Sequence, residues 1–255
     1  MRYFFSTGEA SGELSATLLA TAIAQKNEGA RFEGIGRERM AAMGFRLYAD
    51  TRGWSSMGPI SALGKIPKLY AMMWRIAVQL RADPPDLIVL VDFGAFNLRL
   101  AKTLRGIGYR APILYFFPPG AWLDRPSQAR AVARYAIPLV AFEHQRDFYR
   151  GLELPVAYFG HPLVSVYRMR APRPAAPADG GNIALLPGSR AEELRYHLPA
   201  LVEALALLRA RRPNLTAVFG AADDEAERMI RASMPFREGG CSMVRGTRDA
   251  LENAD

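Results

Sequence analysis

The chain has 255 residues, half of them hydrophobic and 23% charged, with a formal net charge of +8 at pH 7. This composition excludes a disordered chain, and the length allows more than one domain. The basic balance favours phosphorylated ligands or anionic lipid surfaces over nucleic acid, because the sequence has no zinc-ligand spacing and no ribonucleoprotein-type aromatic motif. The single cysteine, Cys241, excludes an intrachain disulfide and fits a reducing compartment.

Strand-like and helix-like segments alternate from the start of the chain, which predicts an α/β fold with a parallel sheet between helices. We predict strands at 3–6, 31–36, 87–91, 113–117, 137–141 and 156–159. The helices of this part are predicted at 11–25, at 64–81, from Asn97 onward and around 128–135.

A change of composition divides the chain. Residues 171–181 are rich in Pro, Ala and Gly, which predicts a linker. Strands at 182–186, 216–219 and around 242–244 follow, with helices at 191–211 and 225–232. Three strands are too few for a doubly wound domain, so we expect a first domain at 1–170 and, at 182–255, the start of a second domain that is cut short.

The segment from Asp86 to Asn97 organises the first domain. Its apolar run, 87–91, predicts a strand buried on both faces. Asp92 follows at the edge where parallel sheets bind ligands, so the position suits a catalytic base, and it suits equally a carboxylate that caps the next helix. We expect Asn97 to be the N-cap of that helix.

Two loops have the composition of ligand-binding turns. Gly8, Glu9, Ser11 and Gly12 precede the first helix, where free backbone N–H groups face a ligand. Glu9 would repel a phosphate, so sugar hydroxyls are the favoured partner, unless Glu9 only complements the helix dipole. In the second unit, residues 186–190 offer backbone N–H groups and an arginine, which suits a diphosphate, although a tight turn with a solvated arginine has the same sequence.

Further candidates are less specific. His161 lies at a strand end, although a lone histidine is more often structural. Between Met57 and Trp74 apolar residues alternate with cations, which suits an interfacial helix or an acyl-chain groove and equally a core-packed amphipathic helix. We expect no signal peptide, no membrane span and no metal site, and therefore a cytoplasmic protein whose membrane contact is peripheral.

An ordered set of motifs, at the family's approximate spacings, resembles the lipid-A-disaccharide synthase family. The motifs are Gly8-Glu9-Ala10-Ser11-Gly12, 31–36 followed by Met40, Met57-Gly58, Asp92 with Phe96-Asn97, Phe142-Glu143, Gly160-His161-Pro162-Leu163 and Leu186-Pro187-Gly188-Ser189-Arg190. The resemblance implies a two-domain GT-B glycosyltransferase that requires neither a metal nor another cofactor.

The reaction implied by the resemblance joins UDP-2,3-diacylglucosamine to 2,3-diacylglucosamine 1-phosphate at the inner-membrane surface and inverts the anomeric centre. Asp92 would be the base, Arg190 would stabilise the leaving diphosphate and Glu9 would position a substrate. A homodimer is compatible with the family, and nucleic acid is not a partner. The substrate-binding residues would be Gly8, Ser11, Gly12, Met57, Gly58, Asn97, His161, Gly188 and Ser189.

Departures from the family pattern concern the acceptor side. Where the family usually has Asp-x-Pro-Asp-Phe-Asn, this chain has Asp92-Phe93-Gly94-Ala95-Phe96-Asn97, without the second acid. The family's Ser-Pro-Ser-Val-Trp segment is only loosely matched by residues 117–122, and Glu13 replaces a usual aspartate. A GT-B transferase or UDP-sugar epimerase with another substrate, and a non-catalytic membrane-associated paralogue, are therefore alternatives.

Overall fold

A computed structural model describes residues 1–51, 66–119, 125–167, 180–189, 191–233 and 239–254. Contacts within the chain divide it into two compact units, 1–169 and 170–255, and each is described by itself. Most of the predicted linker, residues 171–179, lies outside the described residues.

The first unit contains a seven-stranded parallel sheet with the order β3-β2-β1-β4-β5-β6-β7. Its strands are β1 (Arg2–Ser6), β2 (Arg31–Gly36), β3 (Arg46–Asp50), β4 (Leu87–Val91), β5 (Ile113–Phe116), β6 (Ile137–Val140) and β7 (Ala157–Tyr158). Its described helices are α1 (Ala10–Lys26), α2 (Glu38–Ala42), α3 (Ile66–Ala82), α4 (Gly94–Gly106), α5 (Pro126–Tyr135), α6 (Glu143–Gly151) and α7 (Pro162–Tyr167).

The apolar strands β1 and β4 lie side by side in the centre, as the sequence predicts for runs buried on both faces. Side chains alternate between two cores: Phe4, Ile88 and Leu90 pack in one, and Phe5, Val89 and Val91 in the other. Each such fully buried side chain contributes roughly 1.5–3 kcal/mol of hydrophobic stabilisation. The edge of the sheet that follows β4 is therefore fixed from both faces.

Some predicted elements are corrected. α4 begins at Gly94, so Asn97 is inside the helix and the N-cap position belongs to Phe93. β5 and β6 each end one residue early, β7 is shorter than predicted, and β3, α2, α6 and α7 were not predicted. The unpredicted elements are short and, in α2 and α6, mostly exposed, so no long apolar run marks them.

The second unit contains a three-stranded parallel sheet with the order β10-β9-β8. Its elements are β8 (Gly180–Leu185), α8 (Ala191–Arg211), β9 (Asn214–Ala221), α9 (Asp224–Ala232), β10 (Cys241–Arg245) and α10 (Thr247–Asn253). β8 begins two residues before the predicted strand, at a glycine that was assigned to the linker. Among the helices described in both units, none has the length and hydropathy needed to cross a membrane.

Candidate functional site

A cavity of about 290 Å³ opens in the first unit at the carboxyl edge of the parallel sheet. Its lining comes from the start of α1, the ends of β4 and β5, and the loop between β7 and α7. This is the position at which open parallel sheets bind ligands. The lining residues are Ser11, Gly12, Leu14, Ser15, Asp92, Phe117, His161 and Leu163.

The backbone at this edge is strained. Asp92, Phe93 and Phe117 have φ values of +47°, +50° and +52°, in the left-handed region that non-glycine residues seldom adopt. Each such conformation costs on the order of 1 kcal/mol or more and persists only where the surroundings determine it. Strain at the ends of two neighbouring strands, β4 and β5, makes this edge a candidate functional site.

The backbone of Asp92 is held from three directions. Its N–H donates to the carbonyl of Phe116 at 2.9 Å, and its carbonyl accepts from the Tyr115 hydroxyl at 3.0 Å and from the Asn97 amide at 2.9 Å. Burial raises the pKa of Tyr115 well above its ordinary value, and the nearby Asp92 carboxylate raises it further. Tyr115 therefore stays a neutral donor, while the Asp92 side chain is exposed at the cavity.

Asn97 is completely buried beneath that edge. Its Oδ1 accepts from the Ser6 hydroxyl at 2.6 Å, and its Nδ2 donates to the carbonyls of Ser6, Val91 and Asp92 at 3.2, 3.1 and 2.9 Å. The side chain thus ties the end of β1 to the end of β4. The expected N-cap was wrong because the amide bonds to the two strands and not to the start of its own helix.

The glycine loop is shaped by the same edge. A Cβ at Gly8 would overlap the ring of Phe93, so the loop closes over Phe93 only because residue 8 has no side chain. At Gly12 a Cβ would lie 3.7 Å from Val91, an ordinary contact. Glu9 is half-buried in the N-cap position of α1, and its side chain makes no capping hydrogen bond there.

Glu13, the first departure from the family pattern, has a local explanation. It is buried, and its Oε1 accepts from the backbone N–H groups of Arg37 and Met40, each at 2.9 Å. These are the N-cap and third residues of α2, so a carboxylate from α1 satisfies the free donors of a neighbouring helix. Glu13 is one of the departures predicted to concern the acceptor side. In the structure its carboxylate instead supports the start of α2.

His161 is packed between two phenylalanine rings, with centroid distances of 5.2 Å to Phe117 and 5.6 Å to Phe142. Its Nδ1 accepts from the backbone N–H of Leu163 at 3.2 Å, which places the proton of the neutral ring on Nε2. Burial lowers the pKa of His161 below 6.5. The side chain is thus a neutral Nε2–H donor at the cavity.

In the second unit, the loop after β8 is held by the helix that follows it. Gly188 has a φ of +122°, and the Ser189 N–H donates to Oε2 of Glu193 at 3.0 Å. Nδ1 of His197 lies 2.8 Å from the carbonyl of Pro187, an arrangement in which the ring must donate. Glu193 and His197 are four residues apart on α8, so both can reach back to the loop.

Sequence reasoning missed several of these residues. Leu14 and Ser15 line the cavity without any signal in their residue types, since only the fold brings them there. Phe117 and Leu163 also line it; both lie in segments quoted for the family resemblance, but neither was predicted as a site residue. Glu193 and His197 do carry a signal, namely two polar residues at helical spacing just after a glycine turn. Of the predicted site residues, Met57, Gly58 and Arg190 lie outside the described residues, as do residues 120–122 of the altered tryptophan segment.

The fold and the cavity together define the class of protein. The parallel-sheet units and the ligand edge are those of a GT-B-type glycosyltransferase fold. The structure is similar to that of UDP-GlcNAc 2-epimerase from Neisseria meningitidis, with a TM-score of 0.61 and 10% identity, over 97% of this chain and 73% of the other. A UDP-forming trehalose-phosphate synthase from Burkholderia xenovorans gives 0.54 and 14%, over 96% and 73%.

Sequence comparison identifies the family. Residues 3–244 match the sequence model described as Lipid-A-disaccharide synthetase, and the chain belongs to that family. It is 34% identical to the lipid-A-disaccharide synthase of Synechocystis sp. over 229 residues, which is 84% of this chain and 58% of the relative. The enzyme of Myxococcus xanthus is 34% identical over 227 residues, 85% of this chain and 58% of the relative. The chain thus spans somewhat more than half the length of these relatives.

Proposed function

We propose that the protein is an inverting glycosyltransferase of lipid A biosynthesis, which joins UDP-2,3-diacylglucosamine to 2,3-diacylglucosamine 1-phosphate. The observation that supports this most directly is the position of Asp92. In a chain of this family, an exposed carboxylate stands on a strained, firmly bonded backbone at the ligand edge of the sheet. A base in direct displacement needs such a fixed position beside an open cavity.

In the proposed step, the Asp92 carboxylate takes the proton of the acceptor's 6-hydroxyl. The acceptor oxygen forms its bond to the anomeric carbon of the UDP-sugar from the face opposite the diphosphate. The bond from that carbon to the diphosphate oxygen breaks, and UDP leaves with the electron pair. Three hydrogen bonds fix the backbone of Asp92, which supports a fixed position for the carboxylate beside the acceptor.

The other site residues receive roles that match their surroundings. The start of α1, with Ser11 and Gly12, faces the cavity and would bind sugar hydroxyls, and Glu9 would position them. His161 would donate from Nε2 to a substrate oxygen. Asn97 and Gly8 act behind the cavity as positioning residues, because both are buried.

We assign the leaving diphosphate to the backbone N–H groups of Gly188 and Ser189, together with the side chain of Arg190. A turn with a glycine at positive φ just before a helix supports this role, since charge grows on the diphosphate as its bond breaks. We propose that Met57 and Gly58 belong to the acceptor side, as in the family pattern.

A peripheral position on the inner membrane follows from the lipid substrates, and α3 supports it. Met73, Ile76 and Leu80 pack in the core, while Tyr70, Trp74 and Val78 are exposed by 41%, 54% and 46%. The exposed residues are four apart and form one stripe, which we call the α3 stripe. Aromatic side chains of this kind favour the boundary between water and lipid. One face of the helix is thus packed in the core, and the exposed α3 stripe supports the interfacial alternative for the other face.

The test uses protein expressed from the complete reading frame, with both lipid substrates, and detects the tetraacyl disaccharide phosphate by mass spectrometry. Asp92→Asn is the informative variant, because asparagine tolerates the left-handed backbone that alanine would strain. We expect its turnover to fall roughly 10²–10⁴-fold, as for loss of a general base. Asp147→Asn, an exposed aspartate on α6, is the matched control and should keep full turnover.

Product at the same rate from wild type and Asp92→Asn would retain the reaction and remove Asp92 from the base role. A folded wild type that binds UDP and gives no disaccharide would overturn the proposed reaction. A product from UDP-N-acetylglucosamine alone would then favour an epimerase.

A further inference from the structure

The excess positive charge of the chain is concentrated in one part of the first unit. Residues 93–142 contain seven arginine or lysine residues and one acidic residue, Asp124, so this stretch carries a formal charge of +6 out of the total of +8. Most of these cations lie on α4 and α5 or on the chain between α4 and β5. The distribution is far from even, so the high net charge is a local feature.

Two adjoining cavities run between α4 and α5, and we call them together the α4–α5 groove. The first, of about 520 Å³, begins at Gly94 and has a mainly apolar wall with Arg99 and Lys102 as its charged lining. The second, of about 640 Å³, is lined by Lys102, Arg105, Arg110 and Arg134. Both share Lys102 and Tyr135, so the groove is continuous and changes from apolar to cationic along its length.

No described residue that lines the groove carries a carboxylate. In the part of the chain that the structure describes, Lys102, Arg110 and Arg134 form no ion pair. Arg105 donates to the carbonyls of Tyr135, Tyr109 and Ala111. Burial lowers the pKa of Arg105, and the charge of Arg110 adds to that lowering. Among the described residues that line the groove, an anion would meet several cations and no acid.

The groove is also linked to the α3 stripe. The guanidinium of Arg99 lies 5.1 Å from the centre of the Tyr70 ring, so one side chain belongs both to the groove and to the edge of the stripe. An exposed apolar stripe beside a row of cations is the pattern of a surface that lies against an anionic bilayer. A nucleic acid would instead require stacking platforms, and the apolar wall offers mostly aliphatic side chains, such as Leu98 and Ala131.

We propose that the α4–α5 groove binds the phosphate headgroup of an anionic phospholipid while the α3 stripe contacts the acyl boundary. This rests on the proposed function only for the presence of a membrane surface near the protein. The headgroup would lie among Lys102, Arg110 and Arg134, and the apolar end of the groove would cover the glycerol and upper acyl carbons. The site is separate from the Asp92 cavity, with which it shares no lining residue.

The test measures sedimentation of the protein with vesicles of phosphatidylcholine alone or mixed with phosphatidylglycerol. The double variant Lys102→Gln/Arg134→Gln should lower the partition coefficient on the mixed vesicles about 25-fold. This follows because each cation near an anionic surface contributes roughly a factor of five to binding. The matched control, Arg39→Gln/Arg150→Gln, removes the same charge from exposed positions on α2 and α6. It should lower binding only slightly.

An equal loss of vesicle binding in the two double variants would show that binding depends on net charge alone, and would overturn the proposed headgroup site. Undiminished vesicle binding by Lys102→Gln/Arg134→Gln would overturn it as well. Stronger competition by a short RNA than by phosphatidylglycerol micelles would also overturn it. Turnover is measured separately with substrates dispersed in detergent. In detergent, the groove variant should turn over substrate as fast as wild type. The two assays are therefore independent: absence of the proposed reaction would not affect the vesicle result, and loss of vesicle binding would not affect turnover.

Discussion

The two candidate ligand loops, after β4 in the first unit and after β8 in the second, are built in opposite ways. After β4, the backbone enters the left-handed region at Asp92 and then at Phe93, whose side chain disfavours it, and a buried amide beneath them holds it there. After β8, the left-handed residue is Gly188, which adopts that conformation without strain, and half-exposed side chains of the following helix hold the loop.

The difference matches the roles proposed above for the two loops. A general base at Asp92 would need one fixed position relative to the reacting oxygen, and the rigid support under Asp92 suits that role. A loop that offered backbone N–H groups to a diphosphate would have to accommodate a large, mobile anion. The Ser189 N–H is bonded to Glu193, so a diphosphate that binds this donor exchanges one carboxylate acceptor for another anion.

The largest effect is expected from the buried support of the first loop. Asn97→Ala removes an amide that serves four partners, and we expect the free energy of unfolding to fall by about 3 kcal/mol because buried carbonyls lose their donor. Urea denaturation followed by circular dichroism measures it. Ser6→Ala, which removes one of those partners, should cost about 1 kcal/mol.

A double-mutant cycle between Ser6→Ala and Asn97→Ala sharpens this result. The two side chains meet at 2.6 Å, so their effects should not add. Additive effects would mean that the Ser6 hydroxyl and the Asn97 amide are not coupled, and the link between the strands would then rest on the bond from Nδ2 to the Ser6 carbonyl alone.

A pair of glycines tests the close packing of the same loop. Gly8→Ala forces a Cβ into the Phe93 ring, and we expect a loss of about 1–3 kcal/mol, as for other overpacked sites. Gly12→Ala places its Cβ at ordinary contact distance within α1, so it should be neutral or stabilise by up to about 1 kcal/mol. Thermal unfolding of both variants measures the difference, and similar losses would contradict the packing of Gly8 on Phe93.

A smaller effect is expected in the second unit. His197→Ala removes one hydrogen bond to the Pro187 carbonyl from an exposed helix, and we expect a cost of about 0.5–1.5 kcal/mol. Because the loop loses part of its support, the dissociation constant for UDP should rise a few-fold, which calorimetry measures. His197→Gln, which retains a donor, should restore part of the affinity. A loss as large as that of Asn97→Ala would erase the contrast between the loops.

The smallest effect is a pH dependence at His161. Burial holds the pKa of His161 below 6.5, so the unfolded chain binds this proton more readily than the folded one. The contribution of His161 to stability is therefore complete above about pH 6.5 and is lost as the pH falls through the lower, folded-state pKa. His161→Gln should flatten this part of the curve of melting temperature against pH, and an unchanged curve would contradict the burial.

The sequence predicted those parts of the molecule that depend on local pattern. The limits of β2, β4 and α8 agree with the structure because each has a distinctive run of residues. The function of Asn97 could not be predicted, since its partners include Ser6, 91 residues earlier in the chain. The bonds from Glu13 to the start of α2 could not be predicted either, since their partners are also distant in the chain. In addition, α2 is too short to give a recognisable sequence pattern.

The close approach of Gly94 and Pro119 joins the start of α4 to the chain that follows β5. A Cβ at residue 94 would lie 2.8 Å from Cβ and 3.1 Å from Cγ of Pro119, so the two segments can come this close only while residue 94 has no side chain. Any larger residue at position 94 would push these two segments apart. A substitution there therefore also changes the chain after β5, which supplies Phe117 to the cavity.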